Sequence, residues 1–478
     1  MARIGSGITG IERSLLDSLA LSNAQVTLSS YRMATGHKIN APSDDPSAFM
    51  ILSGVQSQLN TVTATLANVT AAGSMISQTH TALDGIETQL GIIRIELLKD
   101  TDEDNPLTPD ERAAAQAKID AAIDQINALA GTNINGKTLL AGSADYIYSG
   151  RDSSQVANVA VHSKVSSSAT ISGHVDTLAT QAEIKYSGTS HQITDDAVFT
   201  LTGRRGSATV TVEQFEDLHD VADRINKKSY QTGVTASVSE ADDKLIFTSV
   251  DYGSSASVNV DVIGGTFAID SGGQYTGTNA SAVINGKTIS STSNNVSGSS
   301  FTVNDNSMSF QIEFQPDFTG TFDTITVEGN ALSFAMSESL NQKSTVAIPA
   351  MYPADLGGIS GTLNELYSGG SLSGLDANTS QAIMVVDETL GKLARVQGSV
   401  DGFYNAAITS SSVLLSEMQT QLGDYIDSID KTNDEEETLR RDYYLALADN
   451  AVSGLTIVNQ QRRSIVNMLQ DIAGLNQT

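Results

Sequence analysis

Two long apolar repeats, one in each terminal part of the chain, restrict the possible folds more than any other feature. Apolar residues recur at spacings of three and four from Ile51 to Leu97, and again from Ile383 to Ile429. A further helical pattern runs from Leu439 to Ile472. This spacing puts apolar side chains on one face of a helix and is typical of coiled-coil packing. Because neither stripe can bury itself, we expect the two ends of the chain to pack together.

Shorter signals complete the helical ends. Asp45-Pro46 predicts the N-cap and first residue of a helix. Residues 109–130 predict another helix, and Asn135-Gly136 predicts a tight hairpin turn. A first helix is predicted from apolar residues that share one face: Ile4, Ile8, Ile11, Leu15 and Leu19.

The middle of the chain has a different texture. From about 151 to 350, Ser, Thr, Gly and Asn dominate, and short alternating runs predict β-strands. Asp242-Asp243 predicts a hairpin turn, and Phe215, Leu218, Val221 and Ile225 predict one helix. We therefore expect a mainly α coiled-coil core built from the paired termini, with inserted β-rich (α+β) outer domains. The expected segments are 1–42, 43–150, 151–265, 266–374, 375–432 and 433–478.

Composition limits the possible partners. The formal net charge is −28, with 27 Lys and Arg against 55 Asp and Glu. Nucleic acid and anionic membranes require clustered cations, so neither is expected as a partner. No apolar run reaches 18 residues, so no membrane insertion is expected. The chain has no cysteine, which removes disulfides and thiolate chemistry.

One stretch resembles a calcium-binding loop. Asp100, Asp102, Asp104 and Glu111 occupy positions 1, 3, 5 and 12 of such a loop. Position 6 is Asn105 instead of glycine, however, and the proline that follows disfavours the required turn. Thr108-Pro109-Asp110-Glu111 also matches a capping box at a helix start. The capping box is the favoured interpretation, and the calcium loop is the alternative.

Other matches to catalytic or cofactor motifs lack their structural context. Gly5–Gly10 fits G-x-G-x-x-G, but only four residues precede it, too few for the strand of a dinucleotide fold. The six histidines have no metal-ligand spacing, and no serine lies in a G-x-S-x-G elbow. We therefore predict a protein that is not an enzyme and uses no cofactor.

Three terminal motifs resemble the bacterial flagellin family, which includes the hook–filament junction protein. Residues 33–46, MATGHKINAPSDDP, are similar to the family's N-terminal signature. Residues 458–469, VNQQRRSIVNML, are similar to its closing segment, and residues 133–140, NINGKTLL, to its hairpin. Residues 196–262 further resemble the hook-type module inserted in many flagellins and filament-cap proteins.

The resemblance implies an extracellular structural subunit that self-assembles into the flagellar filament after export in an unfolded state. Its implied partners are copies of itself, an export chaperone on the C-terminal helix, and hook-associated and filament-cap proteins. The terminal helices would form an inner tube, and residues 43–150 and 375–432 would form the wall of an outer tube. The implied polymerisation interface comprises Ile4, Ile8, Ile11, Leu15, Ile465, Leu469 and Ile472.

Three features leave alternatives open. Ser43–Pro46 and the acidic loop before Glu111 look more like the junction protein, whereas the C-terminal ending favours a filament subunit. The β-rich insert could instead be a secreted binding module.

Flagellins of many bacteria also carry a patch recognised by an animal innate receptor. Here it is degenerate, so weak or absent recognition is expected; its positions are Ile92, Arg94, Glu96 and Lys118.

Overall fold

The fold was analysed in a computed structural model of the whole chain. The description covers residues 10–101, 106–166, 168–270, 273, 275–329, 331–336, 343–375 and 378–475, without the side chains of 472–475. The helices are α1 (Gly10–Thr35), α2 (Pro46–Lys99), α3 (Pro109–Ala130), α4 (Leu218–Lys227), α5 (Ser229–Thr232), α6 (Thr379–Phe403), α7 (Ser410–Asp430) and α8 (Asp434–Leu475). A π-helical segment, Tyr404–Thr409, joins α6 to α7.

Nineteen strands are described, all between α3 and α6. They are β1 (Ile147–Ser149), β2 (Val156–Lys164), β3 (Ala169–Thr177), β4 (Glu183–Ser187), β5 (Ala197–Gly203), β6 (Ser207–Val212), β7 (Val234–Ser239), β8 (Lys244–Ser249), β9 (Val258–Gly265), β10 (Ser281–Ile284), β11 (Lys287–Ile289), β12 (Val296–Ser297), β13 (Ser300–Asn304), β14 (Met308–Phe314), β15 (Gly320–Glu328), β16 (Leu332–Ala335), β17 (Lys343–Val346), β18 (Gly357–Gly358) and β19 (Gly361–Thr362).

Two compact units divide the chain. The terminal unit comprises Met1–Ala67 and Ser412–Thr478, and the central unit comprises Asn68–Ser411. The terminal unit therefore brings together the first and last parts of the sequence, and it is built from helices. This arrangement confirms the predicted fold class of a helical core made from both ends with an inserted β-rich region.

The predicted heptad stripe of α2 forms the buried face of this helix. From position 62 to 97, side chains at alternating spacings of three and four are all buried, including the polar Thr65 and Thr79. Each of these threonines donates its hydroxyl hydrogen to the carbonyl four residues earlier, so neither is left without a partner. Ile51, which the repeat also includes, is exposed. The buried heptad positions are Val62, Thr65, Val69, Ala72, Ile76, Thr79, Leu83, Ile86, Leu90, Ile93 and Leu97.

The β-rich region has two separate hydrophobic cores, one nested inside the other. The outer core lies between residues 146 and 179 and between 280 and 331, where a five-stranded sheet (β1-β15-β3-β10-β11) and a four-stranded sheet (β12-β13-β14-β2) contribute side chains. The inner core lies between residues 182 and 267 and combines the sheets β4-β8-β7 and β6-β5-β9 with α4.

This nesting corrects the predicted boundary at 265/266. Residues 151–179 share their core with residues 280–331, so the segment 151–265 is not a domain by itself. The reason is the pairing of β3 with both β10 and β15, and of β2 with β14, across the inserted module. Such long-range strand pairing leaves no local signal in the sequence.

Two predicted turns and one predicted helix can be compared directly. Asn135 and Gly136 both have positive φ, as the expected hairpin turn requires, and Asp243 has positive φ between β7 and β8. The predicted helix exists but begins at Leu218. Phe215 lies before it, exposed and with φ of 69°, so its placement on the helix was wrong.

Phe199 offers a test of the inner core. This ring is fully buried and stacks on Phe267 with centroids 4.4 Å apart. Replacing it with alanine leaves a cavity, so Phe199→Ala should lower the free energy of unfolding of this module by about 3–5 kcal/mol in urea titrations. Phe215→Ala, at a position 67% exposed, is the matched control and should cost under about 0.5 kcal/mol. Equal losses would contradict the core assignment.

Candidate functional site: the paired terminal helices

The two ends of the chain meet as an antiparallel pair of helices, α1 and α8. Ion pairs at the two ends of the contact define its direction: Glu12 lies against Arg462, and Arg32 lies against Glu437, with 3.3 Å between the charged atoms in each case. Between them, a Cβ placed on Gly454 would lie 3.1 Å from Leu15. Early residues of α1 therefore face late residues of α8.

The two helices contact each other through a heptad seam whose fully buried members are small or polar and whose partly buried members are mostly large and apolar. Buried members on α1 are Glu12, Ser22 and Ser29, and buried members on α8 are Glu437, Ala448 and Ala451. The full seam, buried and partly buried, is at Glu12, Leu15, Leu19, Ser22, Val26, Ser29 and Met33 on α1, and at Glu437, Arg441, Tyr444, Ala448, Ala451, Leu455 and Val458 on α8.

The seam contains few fully buried apolar residues. Only five apolar residues of the terminal unit's described part are buried: Ile39, Val62, Leu415, Ala448 and Ala451. Burial contributes roughly 25 cal/mol for each Å² of apolar surface, so the two alanines on α8 add little, and the hydrophobic contribution of the α1–α8 pair comes mainly from its partly buried Leu, Val and Met side chains. The ion pairs at the two ends of the contact specify its direction and register.

The apolar side chains of the terminal unit lie instead on its surface. Of the 30 exposed large apolar side chains among the described residues, 18 belong to this unit, which holds less than a third of the chain. Exposed large apolar side chains at this density are unusual for a monomer and indicate a candidate interaction surface. Those on α1 and α8, here called the outer apolar face, are Ile11, Leu16, Leu21, Tyr31, Leu439, Tyr443, Leu445, Val452, Ile457, Ile465, Val466, Met468 and Leu469.

The predicted interface residues divide into three groups. Ile11, Ile465 and Leu469 lie on the outer apolar face, whereas Leu15 lies on the seam against Gly454. Glu12 takes the seam position next to Ile11, so Ile11 is exposed beside the seam while Leu15 packs on it. Ile4 and Ile8 lie outside the described residues, as does the side chain of Ile472. Their role in polymerisation stays a prediction.

A buried carboxylate, Asp430, joins the turn after α1 to the end of α7. Its Oδ1 accepts the backbone N–H of Ile39 at 2.8 Å, and its Oδ2 lies 2.6 Å from Nδ1 of His37. The carbonyl of the same residue accepts the N–H of Lys38. Gly36, with φ of 74°, ends α1 and lets the chain turn into this contact. The motif at residues 36–39 is thus held by one acidic residue about 390 positions later in the sequence.

The rest of that motif builds the start of α2. Asp44 accepts the N–H groups of Asn40 and Ala41, each at 2.9 Å, and closes the turn. Asp45 accepts those of Ser47 and Ala48, which confirms it as the N-cap, and Pro46 is the first helical residue. The two adjacent aspartates therefore have separate structural roles, one in the turn and one in the cap.

The calcium-loop residues that can be described have protein partners. Asp100 accepts hydrogen bonds from Arg112 at 2.9 Å and Thr379 at 2.7 Å. Glu111 accepts hydrogen bonds from the N–H and the hydroxyl of Thr108, which completes the capping box. These hydrogen bonds hold the pKa of Glu111 below its usual value. Asp102 and Asp104 lie outside the described residues. The capping box is therefore present, and no described group of three His, Asp or Glu side chains is arranged to hold a metal.

The degenerate receptor patch lies on α2 and α3, within the central unit. Arg94 pairs with Asp387 at 2.7 Å, and Ile92 is exposed. Glu96 is buried between Lys99 and Lys118. Burial raises the pKa of Glu96, but hydrogen bonds from the two lysines outweigh it and hold the pKa below its usual value. Three of the four positions, Arg94, Glu96 and Lys118, are thus engaged in ion pairs inside the chain, and weak receptor recognition stays a prediction.

None of the described helices combines the length and apolarity needed to cross a bilayer. This holds for α8 too, whose exposed apolar residues alternate with Arg, Asn and Gln.

Comparison with known proteins identifies two regions. The family model of the bacterial flagellin N-terminal helical region matches residues 10–145, and that of the flagellin hook IN motif matches residues 198–251. The second match lies within the inner core of the β-rich region.

The solved structures of flagellar proteins that match this chain are only weakly similar to it. The D2–D3 domains of the flagellar cap protein FliD of Escherichia coli are 17% identical, cover 39% of this chain and all of theirs, and give a TM-score of 0.26. FlgL of Xanthomonas campestris is 12% identical over 79% of this chain and 99% of its own, with a TM-score of 0.29. The junction protein FlgL of Legionella pneumophila is 13% identical over 76% and 99%, with a TM-score of 0.25. TM-scores this low carry no argument about shared architecture or function.

The ion pair between Arg32 on α1 and Glu437 on α8 should make the helix pair less stable in acid. Burial raises the pKa of Glu437, but the hydrogen bond from Arg32 and the charge of Arg440 outweigh it and leave the pKa below 4.5. A lowered pKa stabilises the folded pair above the unfolded pKa, and this contribution disappears as the pH falls through the folded pKa. Glu437→Gln should therefore cost about 1–3 kcal/mol at pH 7 and less at pH 3.

Because the chain has no cysteine, spin labels attach only at cysteines introduced for the measurement. Spin labels at Ala20→Cys and Asn450→Cys, both exposed, report the distance between α1 and α8 during urea titration. Glu436→Gln, at a neighbouring exposed residue, is the control. A penalty for Glu437→Gln that is the same at both pH values would refute the assigned ion pair.

Removing the carboxylate of Asp430 should loosen the turn that follows α1. Asp430→Ala leaves the buried N–H of Ile39 and the imidazole of His37 without their acceptor, so we expect a cost of about 2–4 kcal/mol at this joint. Hydrogen exchange at Ile39 should accelerate at least about tenfold. Asp424→Ala, at an exposed position of α7, should leave exchange unchanged. Unchanged exchange in Asp430→Ala would show that the carboxylate does not hold the turn.

Proposed function

Since this chain belongs to the flagellin family and is a flagellar structural protein, we propose that it is a subunit that polymerises into the extracellular flagellar filament. The single observation that carries the proposal is the outer apolar face of α1 and α8. Thirteen large apolar side chains of the helix pair are exposed, whereas the fully buried residues of the seam between the helices are small or polar. Copies of the same chain are the occupant proposed for that face.

Energetics supports self-assembly over a stable monomer. Fully burying one Leu, Ile or Val side chain contributes about 1.5–3 kcal/mol, and the outer apolar face offers more than ten large side chains. Both termini carry nearly balanced charges, whereas the whole chain has a net charge of −28. Like-charge repulsion between copies is therefore weakest at the termini, where contact is proposed. The β-rich region, with its own two cores, needs no neighbouring copy to bury its apolar side chains.

The second candidate is the hook–filament junction protein. The motif Ser43–Pro46 favours it, whereas the closing motif at residues 458–469 favours the filament subunit. The two differ in behaviour: a filament subunit adds to its own polymer without limit, and a junction protein adds a limited number of copies to a different structure. Export in an unfolded state, a chaperone on α8, and contacts with hook-associated and cap proteins belong to the proposal in both cases.

Seeded growth tests the proposal. Purified chain added to sheared fragments of its own polymer should elongate them, as followed by light scattering and electron microscopy. Leu21→Asn and Val452→Asn, at positions 59% and 48% exposed, should barely change the stability of the free chain. Each should raise the critical concentration for growth at least about tenfold, because an apolar side chain buried between copies is replaced by a polar one.

Ile263→Asn is the matched control, since Ile263 is equally exposed but lies on β9 in the central unit. Its critical concentration should equal that of the unaltered chain. Growth that is insensitive to Leu21→Asn and Val452→Asn would refute the proposed interface. Addition that stops after a few copies would favour the junction protein.

A further inference from the structure

A π-helical turn of six residues, Tyr404–Thr409, lies between α6 and α7 in what is otherwise one continuous helix. It is here called the π segment. Before it, α6 packs antiparallel on α2: Arg94 pairs with Asp387 at 2.7 Å, and Nδ1 of His80 lies 3.2 Å from Asp401. Between these two contacts both helices advance by 14 residues, from 94 to 80 and from 387 to 401. The two helices are therefore in step up to Asp401.

Beyond this point the α6–α7 side contains one extra residue. Gln419 on α7 donates a hydrogen bond to the hydroxyl of Thr63 on α2 at 3.1 Å. From the contact between His80 and Asp401 to this one, α2 advances by 17 residues, from 80 to 63, whereas its partner advances by 18, from 401 to 419. A π turn joins residues i and i+5 by hydrogen bonds, so it accommodates one extra residue in a helix. The π segment is thus the place of the insertion.

The stripe of buried side chains shows the same step. Along α6 the stripe has spacings of three and four, but the next buried residue after Phe403 is Ile408, five positions later, followed by Leu415. The buried stripe of α2 keeps spacings of three and four throughout. A regular helix would instead place Ala407 in the stripe after Phe403. The stripe positions on α6 are Ala382, Val386, Thr389, Leu393, Val396, Val400 and Phe403.

Two hydroxyl groups hold the π segment in its present place. Thr409 donates to the carbonyl of Tyr404 at 3.2 Å, and Ser410 donates to the carbonyl of Asn405 at 3.3 Å. Each acceptor lies five residues earlier, whereas Ser and Thr side chains in a regular helix bond to the carbonyl four residues earlier. The wider turn is therefore supported by side chains as well as by the backbone.

The sequence after the π segment would allow the insertion to move. Buried Leu415 follows Leu414, which is 57% exposed, and the stripe position between Ile408 and Leu415 falls within the consecutive serines Ser410–Ser412. A shift of one residue therefore exchanges Leu for Leu and Ser for Ser. The unequal exchange is that of Ile408 for the smaller Ala407.

Outside this stretch a shift would put polar side chains in the stripe. Before the π segment, Asp401 would take the buried position of Val400. Beyond Gln419, the exposed Gln421 would take the half-buried position of Leu422. Burying a polar group without a partner is costly, so both changes are unfavourable. The sequence restricts the insertion to the stretch between these limits.

We propose that the extra residue is mobile and that the π turn has two positions in the folded chain, residues 404–409 and residues 415–420. In the second position, Leu414 takes the buried place of Leu415. The stretch between the two positions rotates by about 100°, the angle between successive residues of an α-helix. The helix on either side of the stretch keeps its partners on α2.

The second position offers the same kind of hydroxyl support. Thr420 would be the last residue of the π turn there, as Thr409 is in the first. Its hydroxyl now donates to the carbonyl of Ser416 at 3.0 Å, four residues earlier, and would turn to the carbonyl five residues earlier. The exchange of Ile408 for Ala407 favours the first position, because less apolar surface is buried in the second. Two discrete packings of one helix are a known form of conformational switch.

Thiol labelling distinguishes the two positions, because the chain has no cysteine and an introduced thiol reports on one site. Val413→Cys, Leu414→Cys and Leu415→Cys are made singly in the full-length, dissociated chain and labelled with N-ethylmaleimide under native conditions. The side chains at 414 and 415 are 57% and 1% exposed. The thiol at 414 should therefore react at least about tenfold faster than the thiol at 415.

Reversing the order of two side chains should move the π turn. Ala407→Ile combined with Ile408→Ala keeps the composition, but the isoleucine is then buried in the second position instead of the first. The thiol at 415 should react at least about tenfold faster than before, and the thiol at 414 at least about tenfold slower. Val413→Cys is the control, since this position is 64% exposed and stays outside the stripe after the shift, so its rate should not change.

Local unfolding gives a different result, because it would accelerate labelling at 414 and 415 together. That outcome, or unchanged rates at both positions, would overturn the proposal. Circular dichroism verifies that each variant is folded. All measurements are made on the single chain, so they hold whether or not the chain polymerises.

Deletion of Ala407 tests the insertion without the reversed variant. It removes the extra residue, so the stripe continues at regular spacing; helix content should be retained, and the thiol at 415 should react more slowly than in the unaltered background. Deletion of Ala394, an exposed alanine in the regular part of α6, is the control. It displaces the stripe residues that follow and should lower the urea midpoint. Loss of helix on deletion of Ala407, or faster labelling at 415, would overturn the proposal.

Discussion

The antiparallel seam between α1 and α8 is the contact on which the rest of the structure depends. It brings the first and last parts of a 478-residue chain together, so everything between them becomes an insertion. Its ion pairs fix direction and register, and its serines and alanines allow close approach without burying much apolar surface. Buried polar residues at heptad positions are known to specify register at a cost in stability. Thirteen large apolar residues of α1 and α8 remain exposed outside that seam.

The inserted region follows from this topology. Because both ends of the insert return to one helical bundle, further domains can be added without altering the terminal pair. The β-rich region repeats this principle, since the outer core is interrupted by a complete inner module between β3 and β10.

The helical part of the fold was predictable because its signal is local and periodic. The stripe of α2, the capping box before α3, the Asp45 cap and the Asn135-Gly136 turn all depend on residues within a few positions of each other. Other features depend on distant partners and were missed. Ile11 shares the apolar period of α1, yet Glu12 occupies the seam because Arg462 lies opposite. The pairing of β2 with β14 likewise has no local signature. For the candidate site, the periodicity indicated that the two ends of the chain pair, and the polymerisation interface on them stays a prediction.

Hydrogen exchange of α1 and α8 tests the central claim most directly. If the outer apolar face is covered only by neighbouring copies, the amides of both helices in the dilute dissociated chain should exchange at least about a hundredfold faster than in the polymer, because a pair held by a polar seam opens readily. The amides of β5 and β14 should exchange at the same rate in both states. Equal protection of α1 and α8 in the dilute chain and in the polymer would show that these helices are stable without neighbours and would contradict the account.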